Sequence, residues 1–281
     1  MVKLSLIQLS SSTDVAANLE IIANYLVQIT TELPQQGISP ADTIKHLVVL
    51  PECCLYFGGK DSEQLALAKK SADNDELRVA LAQLALKFNV YLVAGSIPIL
   101  TTTGEKFTNT SCIFSPNGEL IGQYDKIHLF DVKVSDSTSN YHESHFTQAG
   151  KDICLVKTGF ANIGLTICFD LRFPTLFQQL ALAGADIITV PSAFTKVTGK
   201  AHWQTLLQAR AIENQVYIIA AGQEGQHDNG RETWGHSMII NPWGEIEQCI
   251  ETGEGYISVD YKTSKLTKIR RSMPLKSPLH Q

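Results

Sequence analysis

The chain has 281 residues, of which 44% are hydrophobic and 18% are charged. That length is enough to bury a substantial core, as one large domain or two small ones. The net charge of −5 makes nucleic acid and anionic membrane surfaces improbable partners. The first ten residues are too polar for a signal peptide, and no run of apolar residues is long enough to span a bilayer. The six cysteines are scattered apart from one adjacent pair and include no CxxC pair. Their spacing leaves disulfides open, but without a secretion signal we expect free thiols in a cytoplasmic protein.

Apolar periodicity and turn residues predict the elements of the first half. In chain order these are a strand over residues 2–9, a helix from a cap at Thr13 or Asp14 to about residue 30, a strand over 47–50, a helix over 75–88, a strand over 90–94, and a hairpin of 107–114 with 119–124. Residues 125–151 show no clear period. A loop of that length is typically functional or disordered.

The same patterns predict the same order of elements in the second half. They are a strand over 163–168, a helix over 173–183, a strand over 186–190, a helix over 201–214, a strand over 216–221, and a hairpin of 234–240 with 245–250. Residues 90–94 resemble 216–220, and residues 116–119 resemble 242–245, both at an offset of 126 positions. We interpret the chain as two βαβαββ halves. Their sheets are expected to stack face to face under outer helices, as a four-layer αββα sandwich in the α/β class.

Three residues that could carry chemistry follow predicted strands or a hairpin. Cys168 ends a strand at the start of a helix, a position that lowers a thiol pKa, although a buried, inert cysteine is the alternative. Glu52 follows a strand and a proline, where burial would raise its pKa toward that of a general base. An N-cap or surface acid is the alternative for Glu52. Lys126 follows the first hairpin and could face a developing oxyanion, or it could be solvated.

The motifs around these residues resemble those of the nitrilase superfamily of carbon–nitrogen hydrolases. They are Pro51-Glu52, Lys126-Ile-His128 and Cys168-Phe-Asp-Leu-Arg172, in that order along the chain. The resemblance extends from residue 4 to about residue 260. It implies one αββα hydrolase domain over residues 1–260, a homodimer, and a tail over residues 261–281 that lies along the dimer partner. A solvated, partly disordered tail is the alternative.

The resemblance also implies a mechanism. Glu52 is expected to accept the proton of Cys168, which attacks an amide carbonyl and forms a thioester. Lys126 and the backbone N–H of Phe169 are expected to stabilise the oxyanion. Glu143 occupies the position of a second glutamate of the Nit subfamily and would orient Lys126 and the substrate; an exposed loop acid is the alternative. No metal or other cofactor is expected, because no His/Cys cluster has the spacing of metal ligands.

Residues 191–203 resemble the Nit subfamily, and residues 207–215 and 220–227 resemble its deaminated glutathione amidase branch more than its omega-amidase branch. That resemblance implies an anionic amide substrate that is cleaved to 2-oxoglutarate and cysteinylglycine, a reaction of metabolite repair. Arg172 is expected to bind the oxo-acid carboxylate beside Phe194 and Thr195, unless it pairs with Asp170 or another acid. Arg231 is our choice for the glycine end.

Several alternatives stay open at this point. The same chemistry would serve an omega-amidase that acts on 2-oxoglutaramate, or a carbamoylase. An inactive scaffold with the same fold and a thiol-redox protein belong to other functional classes. The absence of CxxC disfavours redox chemistry, and we interpret Cys53 and Cys54 as packing in the site wall.

Overall fold

A computed structural model describes residues 1–31, 45–136 and 140–275 of the chain. The helices are α1 (Val15–Thr31), α2 (Asp61–Ser71), α3 (Glu76–Phe88), α4 (Pro174–Leu182), α5 (Lys196–Asn214) and α6 (Thr263–Ser272). The strands are β1 (Val2–Gln8), β2 (Lys45–Val49), β3 (Tyr91–Val93), β4 (Ile97–Leu100), β5 (Phe107–Phe114), β6 (Leu120–Asp125), β7 (Asp131–Lys133), β8 (Asn140–His142), β9 (Cys154–Lys157), β10 (Asn162–Leu165), β11 (Ile187–Thr189), β12 (Tyr217–Ala220), β13 (Glu224–Gln226), β14 (Glu232–Trp234), β15 (Ser237–Ile240), β16 (Ile246–Ile250) and β17 (Gly255–Asp260).

The described strands form two large sheets of the same plan. The first has the order β17-β1-β2-β3-β5-β4, with β6 also paired to β5, and the second has the order β16-β15-β12-β11-β10-β9. In each sheet three neighbouring strands are parallel, β1 to β3 in one and β10 to β12 in the other, and an antiparallel hairpin follows. The predicted repeat of two βαβαββ halves is therefore confirmed.

Side chains that alternate between the two faces of each strand explain the four layers. In β2, Leu47 and Val49 belong to a buried cluster with residues of the second sheet, such as Ile163 and Leu165. Val48 lies in the other cluster, with apolar residues of α1 and α3. Successive side chains of a strand point to opposite faces, so each sheet packs on its partner with one face and on helices with the other. This is the predicted αββα sandwich.

Helix boundaries follow local capping. Asp14 caps α1, because its Oδ1 accepts hydrogen bonds from the N–H groups of Ala16 and Ala17 at 2.9 and 3.1 Å. The helix predicted over 201–214 begins five residues earlier, after the N-cap Thr195, whose side chain accepts a hydrogen bond from Thr198 N–H. Gly199 weakened the helical signal there. It is required because a Cβ at this position would lie 2.3 Å from Trp234.

The structure adds elements that the sequence pattern did not predict. Helix α2 precedes α3, the segment 125–151 contains the short hairpin of β7 and β8, and β17 pairs with β1 at the edge of the first sheet. The predicted tail contains α6, whose Leu266 and Ile269 are buried against the rest of the chain. Arg270 in α6 forms an ion pair with Asp186 at 2.9 Å. The end of the tail, residues 276–281, lies outside the described residues.

Candidate active site

The site lies where the carboxyl ends of the parallel strands of both sheets meet. Glu52 follows β2, Cys168 follows β10, and Ala193 follows β11. An isolated bridge between Leu9 and Gln223 connects the two sheets at this edge. The side chain of Gln223 also donates a hydrogen bond to the carbonyl oxygen of Glu52 at 3.0 Å. The chemical groups therefore lie at the edge where ligands bind in open α/β sheets.

Lys126 lies between two carboxylates. Its Nζ is 2.8 Å from Glu52 Oε1 and 2.9 Å from Glu143 Oε2. Only 2% of the lysine side chain is exposed, so little water screens these ion pairs. The backbone N–H of Phe130 donates to Glu143 Oε2 at 2.7 Å, which fixes the second carboxylate. The structure thus brings the predicted Glu52, Lys126 and Glu143 together in one buried cluster.

Asn109 joins the same cluster, although the sequence pattern did not indicate it as a site residue. Its Nδ2 donates to Glu52 Oε1 at 3.0 Å and to Glu143 Oε1 at 3.2 Å. The amide and the ammonium of Lys126 therefore hold the two carboxylates in a fixed arrangement. A signal was available, since Asn109 is a polar residue in the fully buried strand β5. Buried polar side chains usually have a specific partner.

Cys168 lies against Glu52 in a strained turn. Its thiol is hydrogen-bonded to the Glu52 carboxylate, and its residue has a φ of +50°. The predicted strand ends earlier, at Leu165, and Cys168 begins a short 3₁₀ helix over Cys168–Arg172. The N–H of Cys168 donates to Pro191 O at 2.8 Å. Among the described residues, no group accepts a hydrogen bond from the N–H of Phe169, so that donor is available to a ligand.

Electrostatics in the cluster differ from the sequence-based expectation in two ways. Burial by itself would raise the pKa of the Glu52 carboxyl, but the Lys126 ammonium and the N–H of Ala193 outweigh it and lower that pKa. The prediction of a raised Glu52 pKa is therefore wrong. Burial and the adjacent Glu52 carboxylate raise the pKa of the Cys168 thiol well above its usual value, so the expected lowering is also wrong. Burial opposes the charge on Lys126, yet Glu143 and Glu52 raise its pKa.

These directions define the resting protonation state. Glu52 is ionised, Lys126 is a cation, and Cys168 keeps its proton in a hydrogen bond to Glu52. Proton transfer then has to accompany attack by sulfur, with the carboxylate already in contact with the proton that it would accept.

A cavity of about 380 Å³ opens onto this cluster. Its wall includes Phe169, Phe194, Thr195 and Arg231, four of the residues predicted to contact substrate. Cys53 lines it, as expected for the site wall, whereas Cys54 lies in the buried cluster with apolar residues of α1 and α3. A volume of this order is typical of sites for small organic molecules.

Arg231 is the predicted substrate-binding cation that the structure places in the cavity wall. Its guanidinium carbon lies 4.7 Å from the ring centroid of Tyr141 and 5.5 Å from that of Phe57. Both rings also line the cavity. Within the described residues, no carboxylate lies within ion-pair distance of Arg231. Cation–π contacts hold the charge in position and leave its N–H groups for a ligand.

Arg172 is not part of the cavity wall. Its guanidinium carbon lies 5.3 Å from the centroid of Phe194 and 5.9 Å from that of Phe169, two rings that do line the cavity. Its Nη1 is 3.3 Å from His202 Nδ1. The alternative of a pair with Asp170 is not observed, because Asp170 accepts its hydrogen bonds from other residues.

Other features of the described residues bear on the class of protein. No helix in ranges 1–31, 45–136 and 140–275 is long and apolar enough to cross a membrane. The same ranges contain no group of three His, Cys, Asp or Glu side chains that could hold a metal ion. All six cysteines are free thiols.

Comparisons with known proteins agree with the geometry. The family model for carbon–nitrogen hydrolases matches residues 3–271. A deaminated glutathione amidase from Yersinia enterocolitica is 38% identical over 272 residues, which are 96% of this chain and 90% of that protein. The omega-amidase NIT2 of Homo sapiens is 32% identical over 274 residues, covering 97% and 93%. The crystal structure of Saccharomyces cerevisiae Nit3, a member of branch 10 of the nitrilase superfamily, matches with a TM-score of 0.85 and 32% identity, over 100% of this chain and 97% of that one.

Proposed function

The chain belongs to the carbon–nitrogen hydrolase family and is an amidase, and we propose that its substrate is deaminated glutathione. The products would be 2-oxoglutarate and cysteinylglycine. The observation that carries this proposal is the cavity itself, which connects the Cys168 cluster to a cation, Arg231, that has no carboxylate partner among the described residues. A substrate with a carboxylate on the amine side of its scissile bond would supply that partner.

The first half of the proposed reaction forms a thioester. Glu52 accepts the proton of Cys168 while the sulfur attacks the amide carbonyl carbon, and the carbonyl oxygen becomes an oxyanion. Lys126 Nζ and the N–H of Phe169 stabilise that oxyanion. Donors placed in advance cost no reorganisation when the charge develops, which is why such sites lower barriers effectively. The proton on Glu52 then passes to the leaving amine as the C–N bond breaks.

The second half releases the acid. Glu52, ionised again, accepts a proton from water, whose oxygen attacks the thioester carbonyl, and the Cys168 sulfur leaves and regains a proton. Lys126 serves here by keeping the pKa of Glu52 low, so that the carboxylate returns to its ionised state after each turnover. Glu143 balances the charge of Lys126 and fixes its position through the contact at 2.9 Å.

Size and charge favour the glutathione derivative over a smaller amide. Deaminated glutathione carries a carboxylate at each end and a thiol between them, and a cavity of about 380 Å³ accommodates a ligand of that size. We assign Arg231 to the glycine carboxylate. We keep Arg172 as a candidate for the oxo-acid end, where it would act from behind Phe169 and Phe194.

A second candidate function is omega-amidase activity on 2-oxoglutaramate. The human relative named omega-amidase is 32% identical over 97% of this chain, which supports this activity as the second candidate. The two substrates share the acyl group and differ in the leaving group, which is cysteinylglycine in one and ammonia in the other. If Arg231 lies at the glycine end, it can bind deaminated glutathione but has no group to contact in 2-oxoglutaramate.

We further propose that the enzyme acts in metabolite repair in the cytoplasm, as a homodimer with the 261–281 tail along its partner. The support is the family resemblance of the motifs around Glu52, Lys126 and Cys168. Light scattering on the purified protein measures the subunit number directly, and a monomer would remove this part of the proposal.

The test of the proposed function is hydrolysis of purified deaminated glutathione and 2-oxoglutaramate by the wild type, Cys168→Ala and Cys249→Ala. Cys249 is an exposed thiol on β16 and serves as the matched control. We expect activity in the wild type and in the Cys249 variant, and none in the Cys168 variant. A preference for 2-oxoglutaramate would select the second candidate.

An inactive scaffold is tested in the same preparation. Intact mass after mixing with substrate and rapid quenching should show a 2-oxoglutaryl adduct in the wild type. A folded protein with neither adduct nor turnover would indicate a scaffold.

A further inference from the structure

Asp170 is a fully buried carboxylate two residues after Cys168 that the reaction scheme leaves without a role. Its Oδ2 accepts hydrogen bonds from the Tyr124 hydroxyl at 2.8 Å and from the N–H of Ile167 at 2.9 Å. Its Oδ1 accepts one from the N–H of His128 at 3.1 Å and lies 2.7 Å from His128 Nδ1. Each oxygen therefore has two hydrogen-bonding contacts, and the partners come from two segments that are far apart in the chain.

The two segments are the ones that carry the proposed nucleophile and the proposed oxyanion donor. We call residues 167–173 the nucleophile turn and residues 124–128 the lysine turn. Tyr124 and His128 lie two positions before and after Lys126, so Asp170 is bound to both ends of the lysine turn. The Tyr124 hydroxyl in addition accepts a hydrogen bond from the N–H of Ile127 at 3.3 Å.

Ring stacking joins the same two turns a second time. The imidazole of His128 lies parallel to the ring of Phe173, with 3.6 Å between centroids and 9° between planes. Phe173 is the last residue of the nucleophile turn and the N-cap of α4. Relative rotation of the turns would therefore break both the hydrogen bonds of Asp170 and this stack.

Within the nucleophile turn, Asp170 also supports an unfavourable backbone conformation. Cys168 has a φ of +50°, a region that costs a non-glycine residue about 1–3 kcal/mol. The hydrogen bond from the N–H of Ile167 to Asp170 closes the turn around Cys168. The bond from the N–H of Cys168 to Pro191 O holds the other side.

We propose that Asp170 is a positioning residue that fixes the thiol of Cys168 relative to Lys126 by joining the two turns. Small displacements are costly in such sites, since a shift of about 1 Å between reacting groups can reduce a rate about 10²-fold. The inference rests on the proposed roles of Cys168 and Lys126. It assigns to Asp170 no contact with the substrate.

The test is Asp170→Asn, which preserves the shape of the side chain but replaces one acceptor oxygen by a donor. We expect kcat for amide hydrolysis to fall about 10²-fold while KM changes less than about threefold, because the cavity wall is untouched. The rate at which iodoacetamide alkylates Cys168, followed by peptide mass mapping, should fall as well. A role in stability alone would not change a second-order rate at one thiol in the folded enzyme.

Asp186→Asn is the matched control. Asp186 also accepts a backbone hydrogen bond, from Asn162 N–H at 3.0 Å, and its other oxygen pairs with Arg270, but it directly precedes β11 at the edge of the sheet opposite the site. We expect lower stability with unchanged kcat. Equal losses of kcat in the two variants, or wild-type kcat and alkylation in Asp170→Asn, would overturn the inference.

If Asp170→Asn does not fold, Tyr124→Phe removes a single donor to Asp170 and leaves the carboxylate. We then expect kcat and the alkylation rate to fall about tenfold together, and wild-type values of both would again overturn the inference. Failure of the proposed function is distinguishable from these outcomes, because it would appear as activity retained in Cys168→Ala.

Discussion

Arg231→Gln removes the cation of the cavity wall while keeping a polar, uncharged side chain. Arg231 is held between Tyr141 and Phe57, so its guanidinium is already positioned before substrate binds. If it binds the glycine carboxylate of deaminated glutathione, the variant should lose affinity for that substrate and should retain activity on 2-oxoglutaramate, which has no group at that end.

The expected magnitude follows from the burial of the side chain. Hydrogen bonds to charged groups contribute about 1.5–3 kcal/mol. Arg231 is only half-buried, so water screens the interaction and we take the lower half of that range. About 1.5–2 kcal/mol corresponds to a fall of about 10–30-fold in kcat/KM for deaminated glutathione.

The assay is steady-state hydrolysis of both substrates by the wild type, Arg231→Gln and Arg271→Gln. Arg271 is an exposed arginine of α6 and controls for the loss of one positive charge. We expect the selectivity between the two substrates to change in Arg231→Gln alone. Comparable losses of kcat/KM on both substrates would indicate that Arg231 binds the acyl end that they share. Wild-type kcat/KM on both would refute its role in binding.

Three further predictions concern charge and stability. Lys126→Met should lower kcat about 10²–10³-fold, because it removes an oxyanion donor. It should also move the acid limb of the pH–rate profile to higher pH, because the cation that lowers the pKa of Glu52 is gone. An acid limb at the wild-type pH would contradict that account. Burial, with Lys3 nearby, lowers the pKa of His46 to about 4, so the unfolded chain binds the extra proton first as pH falls. Stability should therefore decline by about 3 kcal/mol between pH 6.5 and pH 4 on account of this residue, and urea unfolding of His46→Gln should show a weaker decline. Arg270→Met should lower the free energy of unfolding by about 1–2 kcal/mol, since it removes the ion pair and carbonyl contacts that attach α6, and an unchanged urea midpoint would show that α6 contributes little.

The elements that the sequence pattern missed are those with few buried residues. Helix α2 buries only Ala68 and Ser71, and α6 buries only Leu266 and Ile269. A stripe of two residues is too short for apolar periodicity to identify a helix. By contrast, α1 buries four residues at helical spacing and was predicted to within a residue of its end.

The order of most strands and helices and the repeat of the two halves followed from the sequence pattern, and the resemblance to the nitrilase superfamily selected Cys168, Glu52 and Lys126 as candidate residues. Local spacing carries the pattern of elements, because strand ends and turns depend on neighbouring residues. Only the tertiary structure decided the pKa directions, since they depend on atoms brought within 3 Å of one another from segments far apart in the chain. Burial alone would have raised the pKa of Glu52, and the contact with Lys126 at 2.8 Å reversed that direction. For the same reason, the sequence could name two candidate arginines, but only packing showed which one reaches the cavity.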